Sequence, residues 1–428
     1  MKRATLPWVL FLPLALSRCS CPTRPAPEED AVGLDASDGS ASDAGTAMDG
    51  SRDARAGCPA TCPGPASGME TGTGVCVDNA CAIACSTKYP THCPTENTCV
   101  DLMTDGKNCG ACGHDCLGGS CSEGVCQPIE LAQYTGNAEI IYVGSQDVYV
   151  TNDEGYVGRA AKDGTDLKPP AMPGLTTAAF TGTTLLEDGD RLFFVWVDSV
   201  IRLAYCVPES CDATITPVGG LYTQYFAIDS TDQRIAWIDY SPTQVWVAPT
   251  TGTVSGAPVT SGGLDTTASG SPLFYAQGGL FMANGTALER LPISGGSFVG
   301  VTSSGTTRVT ILGANSTNIY LYDGTSVVFT PLPAGDGGSA HKLLDTALAP
   351  NVDGRFVVDD TSAYWVSNGA IETCQISDCM NTQKAVPSQS GIEVADVGLD
   401  PAALYWTNYS DGTSSSGTTY FSVWKLAR

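Results

Sequence analysis

From residue 129 onward, short runs of apolar and aromatic residues alternate with clusters of Gly, Asp, Ser, Thr and Pro. Seven of these runs align: Val148-Tyr-Val-Thr-Asn152, Leu192-Phe-Phe194, Ile235-Ala-Trp-Ile-Asp239, Leu280-Phe-Met-Ala-Asn284, Ile319-Tyr-Leu-Tyr-Asp323, Ala363-Tyr-Trp-Val-Ser367 and Leu404-Tyr-Trp-Thr-Asn408. Their second residues fall at 149, 193, 236, 281, 320, 364 and 405, a mean step of about 43. β-Branched and aromatic residues favour pleated strands, and the polar clusters between them supply turn geometry. A short apolar strand and a tight turn precede each run, as in Phe356-Val-Val-Asp-Asp-Thr-Ser362. A third strand follows, as in Gln244-Val-Trp-Val-Ala-Pro249, and a weaker fourth completes the unit. Four short strands every ~43 residues is the period of a β-propeller blade.

Residues 128–428 are therefore expected to be all-β, a seven-bladed propeller, with six and eight as the alternative blade counts. The last copy stops at its third strand, Tyr420–Leu426. Ile129–Tyr134 is expected to supply its outer strand, closing the ring and removing an exposed edge. Cys206/Cys211 and Cys374/Cys379 both fall at the turn after a third strand, 168 residues apart, in blades 2 and 6. Each pair would close a six-residue loop and stabilise by about 2 kcal/mol.

Upstream the texture differs. Residues 58–127 hold 12 cysteines (Cys58, Cys62, Cys76, Cys81, Cys85, Cys93, Cys99, Cys109, Cys112, Cys116, Cys121 and Cys126) and few large apolar side chains. A segment this poor in core needs covalent staples, so a small disulfide-rich module is expected, with connectivity open. Zinc at Cys109-Gly-Ala-Cys112 with His114 is the alternative. Residues 19–57 carry eight acidic residues against three arginines between 22 and 57, and read as a disordered acidic tether.

Lys2 and Arg3 precede the 11-residue apolar stretch Leu6–Leu16, which is too short to span a bilayer and suits a signal peptide over residues 1–18. Leu16-Ser-Arg-Cys19 resembles a bacterial lipobox, making Cys19 the lipidation candidate, although Arg18 is not the small residue that site takes. Ala15-Leu-Ser17 resembles an ordinary signal-peptidase site and would release a secreted protein. The expected location is extracytoplasmic, either secreted or anchored, with membrane contact only through an N-terminal lipid.

Two resemblances accompany these readings. Cys99–Cys126, CVDLMTDGKNCGACGHDCLGGSCSEGVC, is similar to the cysteine-rich module of the stigma-specific protein family, which implies a small extracellular recognition module. Tyr405-Trp-Thr-Asn408 and Tyr149-Val-Thr-Asn152 resemble the YWTD-type propellers of lipoprotein-receptor ectodomains and their bacterial relatives, including exported lipoproteins.

A formal charge of −24 with no basic stripe argues against nucleic-acid partners. Of the three histidines (His92, His114 and His341) only His341 falls in the propeller segment, so no multi-histidine metal site is expected there, and no G-x-S-x-G elbow occurs around Ser297 or Ser339. Ser339, His341 and Asp345 crowd one loop, whereas a triad draws its members from separate elements. Asn152, Asp239, Asn284, Asp323 and Asn408 recur at strand ends. At the ends of inner strands they could hold calcium in a central channel, and otherwise they cap turns. The expected function is non-catalytic recognition of a protein or glycan through propeller loops, with no catalytic residues and no cofactor. The alternatives are a calcium-dependent propeller enzyme of lactonase, lyase or hydrolase type, and a structural cell-envelope lipoprotein.

Overall fold

A computed structural model describes residues 62–64, 72–77, 80–152, 155–165, 184–197, 200–211, 215–219, 223, 225–240, 243–251, 258–261, 273–276, 278–292, 297–303, 308–332, 340–345, 356–367, 369–379, 384–385, 392–410 and 419–428. The signal segment, Cys19, the tether and Cys58 lie outside them.

The module carries three hairpins: β1 (Gly72–Val77) with β2 (Ala80–Cys85), β3 (Thr91–Cys93) with β4 (Thr98–Val100), and β5 (Cys121–Ser122) with β6 (Val125–Cys126). Five disulfides tie it: Cys62–Cys81, Cys85–Cys99, Cys93–Cys112, Cys109–Cys121 and Cys116–Cys126. Cys76 is also disulfide-bonded.

The chain then enters β7 (Ile129–Thr135) and the propeller. Blade 1 is β8 (Ala138–Val143), β9 (Asp147–Asn152) and β10 (Val157–Ala161). Blade 2 is β11 (Leu185–Asp188), β12 (Arg191–Val197), β13 (Ile201–Cys206) and β14 (Thr216–Gly219); blade 3 is β15 (Phe226–Asp229), β16 (Arg234–Tyr240), β17 (Thr243–Pro249) and β18 (Thr260–Ser261). Blade 4 is β19 (Leu273–Ala276), β20 (Gly279–Asn284), β21 (Ala287–Pro292) and β22 (Val299–Ser303); blade 5 is β23 (Thr310–Ala314), β24 (Asn318–Tyr322), β25 (Ser326–Pro331) and β26 (His341–Asp345). Blade 6 is β27 (Phe356–Val358), β28 (Ser362–Ser367), β29 (Ala370–Gln375) and β30 (Lys384–Ala385). Blade 7 is β31 (Ile392–Leu399), β32 (Ala403–Ser410) and β33 (Tyr420–Ala427), completed on its outer edge by β7. All pairings are antiparallel, and Ala132 faces Val423 across the closing pair. The fold is the expected seven-bladed propeller, and each aligned run is the second strand of its blade.

The packing explains why those runs lead with consecutive apolar residues instead of alternating ones. A second strand lies between two neighbouring blades, so both of its faces are covered and alternation disappears. In β12, Phe194 packs towards blade 1 with Tyr149 and Leu185, while Phe193 packs towards blade 3 with Phe226 and Trp237. Seven such cores, one per seam, run round the ring, and the seventh joins β7, β31, β32 and β33 to β8, β9 and β10 of blade 1. Inside that seam, the buried carboxylate of Asp396 accepts the Ile141 amide at 3.0 Å, linking the inner strands of blades 7 and 1.

Candidate functional site

The face carrying the turns between first and second strands is built by a recurring local rule. In five blades, the residue after the third strand donates its amide to that turn in its own blade: Lys162 to Gln146, Thr250 to Gln233, Leu332 to Thr317, Ile376 to Thr361 and Arg428 to Ala402. Four of the side chains lean on the preceding blade. Leu332 packs on the seam between blades 4 and 5, and Ile376 on that between 5 and 6. At the two seams flanking blade 7, the same position is basic.

Lys162 Nζ donates to Asp400 Oδ2 at 2.8 Å and lies 5.8 Å from the centre of the Tyr405 ring. The Tyr405 hydroxyl donates to the same carboxylate oxygen at 3.1 Å. One blade back, Arg428 pairs with Asp359, donates from Nε to the Tyr364 hydroxyl at 3.1 Å and lies over the Tyr364 ring. Burial pushes the Asp400 carboxyl up, but Lys162 and the amides of Ala402 and Ala403 outweigh it and hold it below the usual range. Asp359 is lowered in the same way, burial being outweighed by the Thr361 and Ser362 amides, the Thr361 hydroxyl and Arg428. Burial, then the Asp400 charge, pushes the Tyr405 phenol up, so it stays protonated as a donor.

At the seam between blades 6 and 7 opens a cleft of about 480 Å³ lined by Val358, Asp359, Asp360, Thr361, Leu399, Asp400, Pro401 and Arg428. Asp359, Asp400 and Arg428 are half-buried, Asp360 and Thr361 are exposed, and Val358, Leu399 and Pro401 give an apolar strip. Asp360 reaches back to blade 5, accepting the Ser316 amide and hydroxyl at 3.0 and 2.7 Å. The Thr361 hydroxyl donates to Asp359 at 2.9 Å. Every ionised group here is committed to a partner in the fold, so the cleft offers fixed hydrogen-bonding atoms beside apolar surface.

The strand-end residues singled out from sequence take other places. Asn152 and Asn284 end second strands rather than inner ones, Asp239 and Asn408 lie inside second strands near their ends, and Asp323 follows a second strand. Asn152 and Asp323 cap the turns that follow them, accepting the Tyr156 amide at 2.8 Å and the Thr325 and Ser326 amides at 2.8 and 2.7 Å, while Asn408 accepts the amide of Ser422, its cross-strand partner on β33, at 2.8 Å. Asp239 accepts the Thr223 hydroxyl at 2.9 Å, and the Asn284 amide donates to Glu289 at 2.8 Å. Among the described residues, the one group of three or more potential metal ligands with ligand atoms within 4.8 Å of one another is Cys109, Cys116 and Cys126, and all three sulfurs are in disulfides. Cys112 is bonded to Cys93. His114 Nδ1 meets the Cys109 carbonyl at 2.6 Å, His92 meets Asn97, and His341 stacks on Phe329. Ser339 lies outside the described residues, and only the backbone of Asp345 is described.

Cys206–Cys211 and Cys374–Cys379 bracket short 3-10 turns, Pro208–Ser210 and Ile376–Asp378, and pack into the seam towards the preceding blade. Glu209, on the first of these turns, reaches Arg159 of blade 1 at 2.7 Å.

Sequence reasoning missed Lys162, Arg428 and the roles of Asp359 and Asp400. The available signal was a basic residue directly after the third strand in the two copies flanking the ring closure.

No family model and no curated protein matches the chain. Solved structures do resemble it. A puromycin hydrolase mutant complexed with PGG aligns with a TM-score of 0.50 at 10% identity, covering 68% of this chain and 52% of that one. The AfRom2 CNH domain aligns at 0.47 and 9% identity, covering 70% and 99%. The Neurospora crassa Pan2 WD40 domain aligns at 0.42 and 12% identity, covering 70% and 95%. At these identities the likeness extends to the propeller fold alone. The ring and the disulfide-rich region stand, while the stigma-specific and YWTD resemblances rest on the quoted motifs.

Proposed function

We propose that this is a non-catalytic recognition protein, exported and either secreted or held at the surface through Cys19, that binds a protein or glycan on its propeller. The observation that carries this reading is the cleft between the turns of blades 6 and 7. Its carboxylates and guanidinium are held in place by the fold, and an apolar strip lies beside them, a composition suited to holding a polar ligand by fixed hydrogen bonds and contact area. The disulfides support an oxidising working environment. No helix among the described residues is long and apolar enough to cross a membrane. Among the described residues no three carboxylates bring their oxygens within 4.8 Å of one another, so the calcium-dependent enzyme reading draws no support from a ligand cluster.

The test is a glycan and protein array probed with the oxidised full chain, followed by D360A and P401A, two exposed cleft positions. Capture of a defined ligand, weakened at least tenfold by either substitution, supports the reading. Capture that ignores both substitutions overturns the cleft as the site, and no capture on either array overturns the function. Mass spectrometry of the mature N-terminal peptide separates the anchored from the secreted form: a diacylglyceryl adduct on Cys19 supports anchoring, and an unmodified N-terminus at Arg18 supports secretion.

A further inference from the structure

The module and the ring's closing strand are one continuous piece of chain. Cys126, bonded to Cys116, precedes the first residue of β7 by three positions. Cys109, Cys116 and Cys126 are buried and form a small core with Ala427 at the end of β33, joined by Leu117 and Leu426. Leu117 and Ile129 also pack on the core that joins blade 7 to blade 1. Leu117 is held at φ 54°, a left-handed conformation that a leucine adopts only when its surroundings impose it.

That imposed conformation serves a specific contact. Lys425, 5% exposed, sits on β33 opposite Ile129 of β7. Its Nζ donates to the Leu117 carbonyl at 2.9 Å and to the Lys162 carbonyl of blade 1 at 2.7 Å. One ammonium therefore joins the module, the last blade and the first blade. The charged groups acting on it are Asp400, Asp163 and Asp115, with Lys162 opposing; burial outweighs the acids and lowers its proton affinity. Burying an ammonium is costly unless acceptors are fixed around it, and the Cys116–Cys126 bridge directly flanks the residue that supplies one.

We propose that the module is a redox-dependent latch on the propeller ring: the Cys109–Cys121 and Cys116–Cys126 bridges build the seat for Lys425 and fix the start of β7, and their reduction frees the closing strand. The reductant is a dithiol. For each bridge, the dithiol delivers two electrons and two protons, the cysteine S–S bond becomes two thiols, and the dithiol closes to its own cyclic disulfide. The ring then has the same sequence in both states but closes firmly only in the oxidised one.

Amide hydrogen exchange on the oxidised full chain tests this. C116S/C126S is expected to accelerate exchange across the 420–425 and 129–135 pairing by about 10- to 100-fold, leaving the second strands of blades 2 to 5 unchanged. K425M, with every bridge intact, is expected to open the same pairing at least tenfold, so the test does not depend on the cysteine variant folding. C62S/C81S removes a bridge outside the Lys425 seat and is expected to leave the pairing protected. In the wild type, graded dithiol reduction should expose the strand in step with alkylation of Cys116 and Cys126. Unchanged exchange at the pairing in C116S/C126S and K425M, an equal loss in all seven blades, or an equal effect of C62S/C81S would overturn the latch.

Discussion

Replacing Arg159 with Met tests how the seam between blades 1 and 2 is held. Arg159, on β10, is 7% exposed and donates from Nε and Nη2 to Asp147 Oδ2, both at 2.6 Å. Asp147 is itself only 2% exposed. Nη2 also reaches Glu209 across the seam at 2.7 Å, but that carboxylate is 66% exposed. At 2.6 Å and an effective dielectric near 20, the Asp147 attraction is about 6 kcal/mol, and removing one partner of a buried pair costs about 3–5 kcal/mol. Met fills similar volume, so most of the R159M loss is the carboxylate left buried without its guanidinium. E209Q should cost less than about 1 kcal/mol, because solvent already screens that contact. D147N/R159M should recover part of the loss, giving a coupling energy of about 1.5–3 kcal/mol in a double-mutant cycle. The assay is urea unfolding of the oxidised variants, followed by intrinsic fluorescence. An R159M protein within about 0.5 kcal/mol of the wild type, or a cycle with no coupling, would refute the reasoning.

Three further outcomes follow from other seams. Cβ at position 158 would lie 2.8 Å from both the Tyr134 ring and Val150, so Gly158→Ala should cost about 1–3 kcal/mol in urea unfolding, and Y134L should relieve part of it. Trp365 is fully buried between blades 5 and 6, and W365A should cost about 3–5 kcal/mol by the same measurement. Asp359 and Asp400 are lowered from an ordinary value of 3.8, so their contribution is complete above that pH and is lost as pH falls through the depressed values. Unfolding free energy should therefore drop below about pH 4, with a shallower drop in D400N, and equal acid slopes in the two proteins would contradict the assignment.

Much of this architecture is legible along the chain, for one physical reason. A second strand covered on both faces loses its alternation, as Leu192 to Val197 does, and a consecutive apolar stretch of this kind repeats once per blade. Ring closure follows from counting, since a last copy short of one strand needs a donor and Ile129 begins an unclaimed one. Outer strands are faint because little packs on them; in blades 3 and 6 they are two residues long. The candidate cleft was hidden for a different reason. Asp359 and Arg428 are 69 residues apart, and Lys162 and Asp400 238 apart, and charge pairing over such distances leaves no local pattern. The Asn and Asp residues at strand ends were visible, but not whether their strands lay innermost, and that decides between a channel ligand and a turn cap. The Lys425 seat was equally invisible, since its acceptors are backbone carbonyls, which every residue has.

The account rests on a ring closed by its own first strand. The most direct test is a cross-strand nuclear Overhauser measurement between Ala132 and Val423 in the oxidised, selectively labelled protein. These residues are far apart in sequence but direct antiparallel neighbours in blade 7. A strong Hα–Hα or amide contact between them is predicted. Its absence, with residues 420–427 exchanging as an unpaired outer strand, would contradict the closed seven-bladed ring.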